Sequence, residues 1–182
     1  MKLNKRSVAL LVSWALLLVA AVGVTVAFIA DKTPEMENTF QPAYVDCEVK
    51  QDVDTAAYTV TNIGDTEAYV RVAVVVNWKN STTGNIYAQA PQFNVSVGEG
   101  WLLGSDGYYY YTGKLLPQKI LPSKAVTSDF TITPAGTTPD GYTLSVEIVA
   151  SAIQATESAV ADWSNGVATI NAENKLDVTT AP

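Results

Sequence analysis

Cys47 is the one thiol in the chain, and there is no histidine. Together these facts remove disulfide frameworks, Cys/His zinc sites and every Ser-His or Cys-His nucleophile pair. Carboxylates, hydroxyls and aromatic rings remain. Asp52, Asp54, Asp65 and Glu67 fall in turn-like stretches whose oxygens suit Ca²⁺, but no D-x-D-x-D-G spacing orders them. Solvated loop charge is the preferred reading. A glycosidase-like carboxylate pair has no signature either, because almost any two acids would qualify by sequence. No catalytic residue, metal ligand or cofactor is assigned.

Four tyrosines, Tyr108, Tyr109, Tyr110 and Tyr111, stand in succession a few residues after Trp101. Alternate residues of a strand share a face, so two of these rings with Trp101 could make a stacking platform for sugars. The preferred reading is packing, with Tyr108 and Tyr110 inside and Tyr109 and Tyr111 covering the outer face. Cys47 lies between Val45 and Val49 on the apolar side of an alternating stretch and reads as a small core residue. Two N-x-S/T tripeptides, at Asn80 and Asn94, are discounted as chance matches.

The N-terminus carries the clearest signal. Lys2, Lys5 and Arg6 precede an uncharged run from Ser7 to Ala30 that is rich in Leu, Val and Ala. This is the pattern of an export signal. Thr25 and Ala27 place small residues at −3 and −1 of a cut before Phe28, whereas a cut after Ala30 would put Phe28 at −3. Cleavage after Ala27 is expected, by a signal peptidase, and a retained membrane-anchoring helix is the alternative. The only membrane contact expected is through this segment while it is uncleaved. Its removal takes away three bases and no acid, leaving 8 bases against 18 acids, a net charge of −10. Such a charge, with Lys and Arg scattered singly, argues against nucleic acid as a partner.

The elements that position these residues are strands. Val45, Cys47 and Val49 alternate with Asp46, Glu48 and Lys50. Val70, Val72, Val74, Val76 and Trp78 share a face of the longest apolar run, and Tyr142 to Ala155 alternates in the same way. Weaker strands are expected near 93–97, 108–112 and 126–133, with Gly, Pro and Asp between them. Seven or eight strands without an intervening amphipathic helix predict an all-β fold, a two-sheet antiparallel sandwich of jelly-roll-like character behind an N-terminal signal helix. The run beginning at Tyr69 reads as a central strand paired with the one beginning at Tyr142. The organisation expected is a signal peptide over 1–27, an N-terminal segment over 28–41, the sandwich over 42–163 and a loosely held tail over 164–182.

Thr25-Val26-Ala27-Phe28-Ile29-Ala30-Asp31, Asn38-Thr39-Phe40 and a β-rich domain of this size resemble the TasA/camelysin family of Gram-positive exported proteins. So do Asn62-Ile63-Gly64-Asp65 and the stretch Asp106-Gly107-Tyr108-Tyr109-Tyr110-Tyr111. The resemblance implies a dedicated signal peptidase and a jelly-roll subunit of a biofilm-matrix fibre. In that arrangement a freshly exposed N-terminal strand, here carrying Phe28, Ile29, Asn38, Thr39 and Phe40, completes the sheet of the next copy or of a related matrix subunit. Pro34 has no N–H and must fall at an edge or irregular position of such a strand. The peptidase activity described for some relatives is not expected, because H-E-x-x-H and anything close to it are missing. A monomeric surface module that binds glycan or protein through Trp101 and Tyr108–Tyr111 is the second expectation.

Overall fold

The computed structural model describes residues 8–9, 12–17 and 43–181, and the chain divides into two units, 1–41 and 42–182. In the first unit the described residues are helical, and Ser13 Oγ donates to the carbonyl of Ala9 at 2.9 Å. Among the described residues no helix is long and apolar enough to cross a membrane.

The second unit is a sandwich of two antiparallel sheets. Strands β1 (Cys47–Gln51), β2 (Ala57–Asn62), β7 (Phe130–Pro134) and β4 (Phe93–Val97) form one sheet, in the order β1-β2-β7-β4. Strands β5 (Trp101–Leu103), β6 (Tyr109–Leu115), β3 (Ala68–Asn80) and β8 (Tyr142–Gln154) form the other, in the order β5-β6-β3-β8. β3 is central and pairs with β8 over its whole length, from Ala68↔Gln154 to Asn80↔Tyr142. The alternation of Val70, Val72, Val74 and Val76 sends these side chains between the sheets, where they meet Val60, Leu115, Phe130 and Ile132. The chain crosses repeatedly between the sheets. Within each sheet the neighbour order is that of an immunoglobulin-type sandwich: β1, β2, β7 and β4 stand as A, B, E and D, and β3 and β8 as C and F. The β5–β6 hairpin is inserted on the far side of β3.

The turn after β2 is fixed by a buried amide. Asn62 Nδ2 donates to the carbonyls of Thr66 and Leu115 at 2.8 and 3.2 Å, and its Oδ1 accepts from the Gly64 N–H at 3.0 Å. A Cβ on Gly64 would lie 2.5 Å from the Tyr44 carbonyl oxygen, so only glycine lets the incoming chain pass this close.

The expected loose tail is not what forms. After β8 the chain makes helix α1 (Glu157–Ser164) and a hairpin of β9 (Ala168–Ile170) and β10 (Leu176–Val178). Ala168, Leu176 and Val178 are buried with Val160, Tyr69 and Tyr110 in a second core on the outer face of the β3/β6 sheet. Tyr69 Oη donates to the Asn174 carbonyl at 2.8 Å, and the Ser105 N–H donates to Thr179 at 2.8 Å, fastening the hairpin at both ends. The apolar groups in 164–182 are few, but every one is spaced for a short strand or a turn. The helix stops at Asn165, whose left-handed φ of 51° and the following Gly166 return N–H groups to Ala161 and Asp162. The Asn165-Gly166 pair and Glu157 in the first turn were the local signals for this helix.

Candidate functional site

The structure separates the residues proposed as a ligand face. Trp101 is 4% exposed and lies in the inter-sheet core, its ring edge-on to Tyr111 and Phe130 and its Nε1 donating to the Ser128 carbonyl at 3.0 Å. Tyr109 and Tyr111 pack against that same core, whereas Tyr108 and Tyr110 face the second core beneath α1. The inside and outside of the tyrosine run are therefore reversed from expectation, and a single platform of Trp101 with Tyr108–Tyr111 does not form. The reversal follows from β3. Val70 and Val72 point between the sheets opposite Tyr111 and Tyr109, while Arg71 pairs with Tyr110 on the other face.

On that outer face the tyrosines hold a partly buried cation. The Arg71 guanidinium lies 4.2 Å from the ring centre of Tyr108 and 4.5 Å from that of Trp163. Arg71 Nη1 donates to Tyr110 Oη at 3.1 Å, and Tyr110 Oη donates to Asp106 Oδ2 at 2.7 Å. Trp163 Nε1 donates to Ser151 Oγ at 2.9 Å, tying α1 to β8. Burial, helped by the hydrogen bond to Asp106, pushes the Tyr110 hydroxyl up to about 12. An unfolded tyrosine titrates near 10, so the neutral hydroxyl is favoured by folding. The stability this provides is complete below about pH 10 and is lost as pH rises toward 12. Thermal unfolding followed from pH 9 to 12 is expected to show a falling midpoint in the native chain and a shallower fall in Tyr110→Phe.

The four loop acids are used apart from one another. Asp52 Oδ1 accepts from the N–H groups of Asp54 and Thr55, which holds its carboxyl below the usual range. Asp65 Oδ1 accepts from the Tyr44 N–H at 2.7 Å, and Glu67 pairs with Lys114 at 2.6 Å. Among the described residues no group of three or more acids and Cys is placed to hold a metal ion.

The feature that stands out is the side of the sandwich where β1 and β8 end the two sheets. At the opposite side the Gly98–Gly100 corner joins β4 to β5, and Trp101 fills the gap beside Phe130. At the β1/β8 side the inward residues Cys47, Val49, Val146, Ile148, Ala150 and Ala152 are only partly buried, in contrast to the fully buried Val60, Val70 and Val72. An immunoglobulin-type sandwich carries strand G beside F at this place. Here the chain after β8 turns away into α1, so among the described residues no strand pairs with the outer edge of β8.

β8 is also the edge with the least protection. It is 13 residues long, about 43 Å at strand rise, with no proline, lysine or arginine and Glu147 as its one charge. Edges normally avoid such length and neutrality, since every second residue offers a free N–H and C=O. β4 and β5, by comparison, have five and three residues. Cys47 lines the open side, and burial, with Asp46 adjacent, pushes its thiol up to about 11. That suits a packing residue and not a nucleophile.

Thr25, Ala27 and Phe28 of the expected cleavage site, and Phe28, Ile29, Asn38, Thr39 and Phe40 of the expected assembly strand, lie outside the described residues. No model of a known protein family, no curated protein and no solved structure matches this chain.

Proposed function

We propose that this chain is an exported structural subunit, which joins the next copy or a related matrix subunit by laying residues 28–40 along the open edge of β8. The observation that carries the reading is the strand position beside β8 that no described residue fills, flanked by half-exposed core residues of both sheets. The segment from Phe28 to Phe40 is as long as β8 itself. Strand addition gives affinity through main-chain hydrogen bonds and selectivity through alternate side chains, here Phe28 and Phe40, which share a face, against the seam. A donated strand is itself an edge, and an edge is where Pro34 is tolerated.

In this reading, export and cleavage before Phe28 create the free terminus, so assembly waits until the protein has left the cell. The place of action is the extracellular matrix or cell surface, as the resemblance to the TasA/camelysin family implies. The protein acts by being built into a fibre and not by turnover. Light scattering on mature protein beginning at Phe28, beside a form beginning after Phe40, tests this at equal concentration. Large assemblies are expected from the longer form and a folded monomer from the shorter. Identical monomers from both would refute the reading.

A further inference from the structure

At the end of the sandwich where β3 gives way to the loop over 81–92, a cleft of about 440 Å³ opens between that loop and the β7–β8 connection. Trp78, Tyr87, Gln89, Gln92, Thr137 and Pro139 line it. The loop is held in place by its main chain: the Tyr87 N–H donates to the Trp78 carbonyl at 2.9 Å, Asn80 to Asn85 at 2.8 Å, and Ala135 to Gln92 at 2.7 Å. Tyr87 is 39% exposed, yet its ring is braced edge-on by Tyr142, with ring centres 5.0 Å apart. It is thus a fixed aromatic surface facing solvent, with amide and hydroxyl groups around it.

The chemistry of the lining selects the ligand. In a chain with 18 acids, no charged side chain lines this cleft. Phosphates and nucleic acid find no cation there, and a cationic ligand finds no carboxylate. A wholly apolar ligand would leave the glutamines and Thr137 without partners. Neutral sugars suit all three features, since their C–H faces stack on an aromatic ring while their hydroxyls pair with amides. The volume falls in the range of small-molecule sites, about 300–1,000 Å³. We infer that this cleft binds a neutral oligosaccharide, with Tyr87 as the stacking ring and Gln89 and Gln92 as hydroxyl partners. It is a different place from the tyrosine run, and it does not depend on strand-donated assembly.

Calorimetric titration of the purified protein with cellohexaose, with chitohexaose, with maltohexaose and with a decaproline peptide tests the inference. At least one of the three sugars is expected to bind, with Tyr87→Ala weakening it about tenfold or more. Gln92→Ala, at an exposed loop position outside the Tyr87–Tyr142 contact, is expected to weaken it as well while leaving thermal unfolding unchanged. This second variant decides the matter if Tyr87→Ala disturbs the fold. Absence of heat with all three sugars, binding that neither substitution alters, or Tyr87-dependent binding of decaproline alone would each overturn the inference.

Discussion

Ending the chain after Asn165 is expected to lower the thermal midpoint by about 20 °C or to leave the protein unfolded at ambient temperature. The residues removed include Ala168, Leu176 and Val178, all buried, and their loss uncovers Tyr69, Tyr110 and Val160. Each large apolar side chain so treated contributes about 1.5–3 kcal/mol, so the sum is about 5 kcal/mol or more. Whole domains are stable by only about 5–15 kcal/mol. One kcal/mol corresponds to about 4 °C in a domain of this size. The truncation also frees the Tyr69 hydroxyl from the Asn174 carbonyl. Circular dichroism melting of the two forms checks it, and an unchanged midpoint would show that the second core is dispensable.

Ile148→Lys is expected to abolish assembly while leaving a folded monomer. Ile148 faces Val74 across the β3–β8 pair and points between the sheets, but it is only partly buried, at the side where no described strand lies beyond β8. A lysine there can run its methylenes along the seam and keep its ammonium in water. A docked strand would close that route and leave a buried, unpaired charge, which costs about 3–5 kcal/mol, a hundredfold or more in affinity. Inward-pointing charge is a device by which natural edges refuse partners. Val149→Lys is the matched control. Val149 is 51% exposed on the outer face, so the same charge one residue along should leave assembly intact. Sedimentation of the two variants distinguishes them. Loss of assembly in both would mean that charge anywhere on β8 is enough, and loss in neither would move the interface elsewhere.

Much of the sandwich could be read from alternation, because a period of two survives wherever one face of a strand is buried. The β3–β8 pair and the inward valines of β3 are the clearest instances. The tyrosine run was harder. Four rings in a row have no polar partner to show which face is wet, and both faces of β6 turn out to be covered, one by the opposing sheet and one by α1 with its hairpin. That second layer is also why the residues after Trp163 read as a tail. Strands of three residues are too short for a periodic signal, and their burial depends on Tyr69 and Tyr110, far away in sequence. That β8 is a rim strand among the described residues was not legible at all. Whether a strand lies at the rim of a sheet is decided by which neighbour fails to arrive, and no local pattern in Tyr142–Gln154 records that.

The most direct measurement is disulfide trapping in trans. One protein carries Cys47→Ser with a cysteine introduced in turn at Ala30, Lys32 or Met36, on the same strand face as Phe28 and Phe40, and the other carries Cys47 alone, the native thiol of β1 at the open side. Bridging requires the two Cα atoms to come within about 7 Å, so a link reports contact. Because burial holds the Cys47 thiol near 11, a copper–phenanthroline oxidant is used to drive the reaction. The result expected is a covalent pair containing one copy of each protein, formed from at least one of the three positions and lost with Ile148→Lys. Failure of all three positions to link to Cys47, under conditions in which the protein assembles, would contradict strand donation into the open side.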